Sequence, residues 1–326
     1  MKKQQGMKIR IGIVAVYLLS GGICMAGLIG KADPDQELNI GYSDAMLAHV
    51  NEADAVAAIK TWVEMIKEAW NSSVPSTTSI YSGADKMQQA LREGAVDLVA
   101  VPIDEFYRLK HEVALDHLML GSYKGKTTVE NLLLVHRDSG LDDLESLRGK
   151  NLLISAADRL GMCELWLDTV LLERDKGDLH TFFQSLKIRP KSSAAVHGVF
   201  FKTADACLVT RRNYDLITEL NPQIGRKLKA IEISPPLVPA VICIRAEYDE
   251  ESKQDICKAL LALHETIRGQ NMLSFFNSDQ MVTASLNDLT STLTMIELHT
   301  RLKERRTPQA KVVASMERTE GAAATP

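Results

Sequence analysis

The stretch YSGADKMQQALREGAVDLVAVP, Tyr81–Pro102, holds the pattern that decides the fold. Met87 and Leu91 stand four residues apart on one helical face, and Gly94 closes that helix with a residue free to take positive φ. Val96–Val101 then runs apolar except for Asp97, which predicts a strand buried on both faces. Working outward, Leu38–Tyr42 reads as a strand, and Ile59, Val63, Ile66 and Trp70 form a helical stripe behind an N-cap at Asn51. Further strands are predicted at Leu132–Val135, Leu152–Ile154, Cys207–Val209, Ile231–Ile233 and Val241–Ile244. From Glu250 onward the pattern is helical, residues 306–326 read as a loose tail, and no internal repeat is visible. Short apolar strands alternating with amphipathic helices imply an α/β fold with parallel sheets covered on both faces.

A chain of 326 residues suggests two domains. Net charge −4 and 5% aromatics provide neither the basic footprint nor the stacking surface of a nucleic-acid binder. At the N-terminus, Lys2, Lys3, Lys8 and Arg10 precede the uncharged run Ile11–Ile29, with small residues at Ala26 and Ala32. That is the order of an export signal. The run is also nearly long enough to span a membrane, but its glycines favour cleavage over a retained anchor. Beyond Cys24, the cysteines are Cys163, Cys207, Cys243 and Cys257, none in a CxxC pair. They read as small buried hydrophobes, with disulfides the alternative in an oxidising compartment.

The order LNIGYSD, YSGADKMQQALREGAVDLVAVP, LLLVHRDSGLDDLESLRGKNLLIS, VFFKTADACLVTRRNYDLITELNPQ and ISPPLVPAVICIR resembles periplasmic solute-binding proteins of the phosphate/phosphonate-binding group of ABC transporters. The resemblance implies a bilobal, periplasmic-binding-protein-like (type 2) clamshell, two α/β lobes joined by two hinge crossings. Lobe one would comprise 33–126 and 238–305, lobe two 127–237, and residues 1–32 the signal peptide or anchor. It further implies an exported, monomeric binder of a small anionic or zwitterionic ligand, partnered with a membrane permease, with no cofactor and no catalysis. A sensing module for a membrane receptor, or an enzyme on the same fold, are the alternatives. HEVALDH (residues 111–117) spaces its histidines wrongly for a metalloprotease motif and reads as a solvated helix or loop.

In open α/β sheets ligands sit beyond the carboxyl ends of the strands, where helix N-termini present unpaired N–H groups. The strand exits therefore nominate Tyr42, Ser43, Ser82, Pro102 and Asp104 in the first lobe. In the second they nominate Asp158, Arg159, Gly161, Thr210 and Arg211, with Tyr123 near the first hinge. Bland readings compete: Ser43 and Ser82 as helix caps, and Arg211 and Arg212 paired with Asp215 or Glu219. Phosphonate-binding members carry a Ser-Thr-Ser-Gly turn where this chain has Asp158, Arg159, Leu160 and Gly161. A carboxylate in place of hydroxyl donors implies a changed ligand. Intact-mass measurement of protein from the cell envelope is expected to show loss of residues 1–26 or 1–32; a full-length mass in the membrane fraction would instead establish an anchor.

Overall fold

The computed structural model describes residues 37–47, 61, 64 and 75–322, the side chains of Arg159, Gly161 and 307–322 excepted. The N-terminal segment and nearly all of the helix expected around Ile59–Trp70 lie outside the described residues. Lobe one begins with β1 (Leu38–Ser43), β2 (Ser76–Tyr81), α1 (Ala84–Arg92), β3 (Leu98–Pro102), α2 (Ile103–Leu109) and β4 (Leu115–Ser122). The chain then builds lobe two from β5 (Asn131–His136), β6 (Asn151–Ser155), α3 (Cys163–Glu173), α4 (Leu179–Phe182) and β7 (Ser185–Arg189). α5 (Ser192–Phe200), β8 (Ala206–Thr210), α6 (Arg211–Leu220), α7 (Pro222–Lys227) and β9 (Leu228–Ile233) complete it. It returns to lobe one with β10 (Ala240–Arg245), α8 (Glu250–Leu261), α9 (Ile267–Phe275), β11 (Gln280–Thr283) and the long α10 (Thr290–Ala322).

Two sheets result, ordered β11-β4-β10-β3-β1-β2 and β7-β6-β8-β5-β9. They are mixed rather than wholly parallel. β10 lies antiparallel between β3 and β4, and β5 antiparallel between β8 and β9, because each is the first strand laid down after a crossing between sheets. The expected apolar strands are all present; β2, β4, β7 and β11 are additional. β2 and β7 are edge strands with largely exposed residues, so they lack an apolar run to announce them. Leu115–His117, the end of HEVALDH, opens β4 instead of continuing a helix or loop. α10 is helical past Pro308 to Ala322, where the sequence reads as a loose tail.

The two sheets repeat one plan that the sequence reading does not detect. The strand sequence β2-β1-β3-β10-β4 matches β7-β6-β8-β5-β9 in order and in direction. Each copy opens with the same polar clamp. Asn39 donates from its backbone N and its Nδ2 to Asp97 Oδ2, both at 3.1 Å, while accepting from Thr77 Oγ1 at 2.6 Å. Asn151 donates likewise to Asp205 Oδ2, at 2.9 and 3.1 Å, while accepting from Ser185 Oγ at 2.7 Å. In each lobe this fixes three parallel strands at their amino ends. α1 packs against lobe one so closely that Gly41 has no room for a Cβ, which would stand 2.9 Å from Val96 Cγ1 and 3.0 Å from Met87 Sδ.

One hydrophobic cluster runs through both lobes, from Val99 and Phe106 to Leu133, Trp166 and Leu208, and includes Leu289, Met295 and Ile296 of the C-terminal segment. α10 packs on α2 of lobe one and α3 of lobe two. There Asp168 accepts from His299 Nε2, Lys303 Nζ and the backbone N of Leu179, at 2.8, 2.8 and 2.7 Å. Burial alone would raise the Asp168 carboxyl, but the hydrogen bonds from His299 and Lys303 outweigh it and hold the group at about 2. Cys163, Cys207, Cys243 and Cys257 are free thiols in the core, and burial pushes each up. Among the described residues no helix is long and apolar enough to cross a membrane.

Two outcomes follow for stability. Asp97→Ala removes the acceptor shared by Asn39 and the partly buried Arg245 guanidinium, which stands 2.8 Å from Asp97 Oδ1, and is expected to cost about 1–3 kcal/mol in denaturant unfolding. The Asp168 carboxyl titrates at about 2 when folded, below the roughly 3.9 of an unfolded aspartate. Its contribution, about 2–3 kcal/mol, is therefore complete above about pH 4 and is lost as pH falls through about 2. Asp168→Asn is expected to flatten that acid limb; an unchanged pH profile would remove the contribution.

Candidate functional site

β4 runs in the same direction as β3, since both are antiparallel to β10. The chain thus leaves lobe one at Ser122, at the end where β1 and β3 finish. It enters lobe two at Asn131, opposite Thr210, the last residue of β8. The return passes from Ile233, opposite Leu132, to Ala240, opposite Pro102, the last residue of β3. Both crossings therefore connect carboxyl ends of parallel strands, and these ends face each other. The crossings bond one another through Val129 N to Leu237 O, 2.8 Å, and Leu237 N to Val129 O, 2.9 Å. Leu160 of lobe two packs on the lobe-one cluster of Tyr42, Met46 and Leu47.

On the lobe-one wall Ser43 is fully buried; its Oγ donates to Glu105 Oε1 at 2.9 Å and accepts from Ala45 N at 3.2 Å. Glu105 sits in the first turn of α2, and its Oε2 is buried without a hydrogen-bond partner among the described residues. Burial raises its pKa, the Ser43 hydrogen bond opposes this, and the nearby Asp104 and Asp44 charges push it up further. Asp104 is exposed, Pro102 is the buried N-cap of α2, and Tyr42 is buried in the lobe-one core, which pushes its hydroxyl well up. Ser82 is exposed and does not cap α1, whose N-cap is Gly83 at φ 81°.

On the lobe-two wall Asp158 is only 2% exposed. Its Oδ1 accepts from Thr210 Oγ1 at 2.6 Å and Asn213 Nδ2 at 2.7 Å, and its Oδ2 from Ser192 Oγ at 2.7 Å. Ser192 spends its one proton on Asp158, so at the 3.2 Å contact with Ser155 Oγ the donor is Ser155. Arg159 and Gly161 fall in the 3₁₀ turn Ala156–Gly161, and their side chains lie outside the described residues. Arg211 pairs with Glu130 of the first crossing rather than with Asp215 or Glu219. Its neighbour Arg212 lies over the Tyr123 ring, 3.5 Å from the centroid, and donates from Nη1 to the Asn277 carbonyl of lobe one.

The sequence reading did not single out Ser192, Asn213 or Glu105, and it paired Arg212 with Asp215 or Glu219, where the side chain instead reaches the Asn277 carbonyl and the Tyr123 ring. Asn213 and Glu105 carried a usable signal, each being the third helical residue after a strand-ending N-cap, Thr210 or Pro102. Ser192 had none, since it follows the exposed edge strand β7. Away from the strand ends, Asp116, His117 and Glu250 lie close enough together to suggest a cation site. Lys253 Nζ fills that role, 2.8 Å from Asp116 Oδ2 and 3.3 Å from Glu250 Oε2.

Comparison with solved structures supports the two-lobed fold. The XAC2383 protein of Xanthomonas citri, solved bound to ATP, aligns with TM-score 0.58 and 17% identity over 82% of this chain and 98% of that one. PhnD1 of Prochlorococcus marinus, in complex with methylphosphonate, aligns at 0.56 and 13% over 82% and 98%. A binding-protein component of an ABC phosphonate transporter from Pseudomonas aeruginosa aligns at 0.54 and 13% over 87% and 99%. At such identities the likeness speaks to the fold, which is the periplasmic-binding-protein type. No match was found among curated protein sequences. The family model for "ABC transporter, phosphonate, periplasmic substrate-binding protein" matches residues 45–289. That is three quarters of the sequence, and the chain belongs to this family of periplasmic substrate-binding proteins.

Proposed function

We propose that the protein is exported to the periplasm, captures a small solute between its lobes and presents it to the permease of an ABC importer. The observation that carries this reading is the opposition of polar strand ends from two lobes across paired crossings. It is the arrangement in which closure buries a ligand on both sides. The wall chemistry narrows the ligand to one bearing a positively charged group, a zwitterion foremost. Glu105 offers a buried carboxylate oxygen still lacking a partner, with Asp44 and Asp104 adding negative potential beside it. An ammonium group is the natural complement, and desolvation inside the cleft strengthens the pairing. The cleft residues assigned to this role are Asp104 and Glu105, with Ser43 orienting Glu105, all on lobe one; Asp158 and Thr210 form part of the facing wall of lobe two. Tyr123 and Arg212 join the lobes at the side, where a cation over an aromatic face contributes about 0.5–2 kcal/mol.

A ligand shifts the lobes only by its differential affinity for the closed state. Native mass spectrometry of protein purified without stripping is expected to reveal an amino-bearing solute. Adding that solute to stripped protein should reduce the radius of gyration in small-angle scattering. Arg212→Ala, which removes one of the contacts between the lobes, should enlarge the radius of the ligand-free protein. A scattering profile that stays the same at saturating solute would count against capture by closure.

A further inference from the structure

Three neutral hydrogen-bond donors converge at the strand ends of lobe two, one from the start of α5 and two from the first turn of α6. Ser192 is the first residue of α5, Thr210 the N-cap of α6, and Asn213 lies one turn into α6. Their common acceptor is the Asp158 carboxylate, which takes hydrogen bonds on both oxygens at 2.6–2.7 Å. Among the described side chains no lysine or arginine is one of these partners. Besides these donors, the first turns of two helices point at the site, and helix N-termini favour an anion there. Proteins hold free carboxylates and tetrahedral oxyanions with the same set of contacts. Here the anion is supplied by the chain itself.

We propose that Asp158 is an internal anion that occupies the oxyanion-binding donors of lobe two, and so determines the specificity of the cleft against phosphonate, phosphate and sulfate. The inference rests on the reading of the interlobe cleft as the binding site. Two further features fit it. The turn bearing Asp158 is anchored by Leu160, which packs on the lobe-one cluster. Among the described residues lobe one shows no matching donor set: at the position equivalent to Asn213 it carries Glu105, and α1, with Gly83 as its N-cap, has no side-chain cap. An incoming oxyanion would therefore meet spent donors on one wall and a carboxylate on the other. Like charges at such range oppose binding of the charged form.

The test uses the mature protein and Asp158→Gly, which leaves a carboxylate-sized gap among the three donors. Thermal unfolding and calorimetry are run with formate, acetate, inorganic phosphate and methylphosphonate, ionic strength being matched with chloride. Asp158→Gly is expected to melt lower than wild type and to recover saturably with at least one of these anions, while wild type shows no saturable response. Its affinity for the best of them should exceed that of wild type by at least about tenfold. A folded variant that none of the four rescues would overturn the proposal, as would wild type binding methylphosphonate or phosphate as tightly as the variant does. Should Asp158→Gly not fold, Asp158→Ser is measured against the same criteria; tight phosphate or methylphosphonate binding by wild type overturns the proposal whatever the variants do. None of these readouts uses the natural solute, so a failure here leaves capture by closure standing, and a failure of the scattering test leaves this result interpretable.

Discussion

Two backbone hydrogen bonds, between Val129 and Leu237 in both directions, hold the two chain crossings side by side. Asn131 and Ser234 extend the ribbon, with Asn131 N donating to Ser234 Oγ at 2.8 Å and Ser234 N to Asn131 O at 2.9 Å. Much follows from this short junction. Because each crossing joins carboxyl ends of strands, the ends of β1 and β3 must confront those of β6 and β8. Because strands rise about 3.3 Å per residue with fixed alternation, that confrontation also sets which side chains meet the gap. Ser43 and Ser155, each the last residue of its strand and fully buried, come to the gap as counterparts.

The repeated Asn–Asp clamp stands at the opposite end of each sheet. It ties the three parallel strands at their amino ends, adding side-chain acceptors to the backbone hydrogen bonds there. Lobe one adds Arg245 to its clamp and lobe two does not. The two lobes thus share a scaffold and differ in charge chemistry at both ends. On the cleft side, the equivalent helical position carries a carboxylate in lobe one, Glu105, and an amide in lobe two, Asn213.

The fold was legible in the chain wherever burial was two-sided. Val96–Val101 and Cys207–Val209 announce themselves because both faces of those strands are covered. β2 and β7 stay silent because an edge strand needs no apolar run, and the opening of β4 is hidden by Asp116 and His117, which serve the ion cluster around Lys253. The repeat is invisible for a related reason: what is conserved between the lobes is a pair of polar residues, set among apolar ones that differ. The strand-end rule points to Ser43, Thr210 and Asp158, which the structure places at or just past strand ends, but not to the hydrogen bond that Asp158 accepts from Ser192, 34 residues away on an element the sequence does not mark.

α10 adds a third connection between the lobes, and it is not a covalent one. Its first turn is fastened to the second crossing, where Val238 N donates to Thr292 Oγ1 at 2.8 Å, and its body lies on lobe two through Asp168. Met295 and Ile296 belong to the apolar cluster that both lobes share. Any movement that parts the lobes must slide or uncover this grease, at about 25 cal/mol for each square ångström exposed. The helix therefore acts as a brace: separating the lobes strips apolar surface from a segment that belongs to neither crossing, and that cost adds to whatever the two crossings themselves resist.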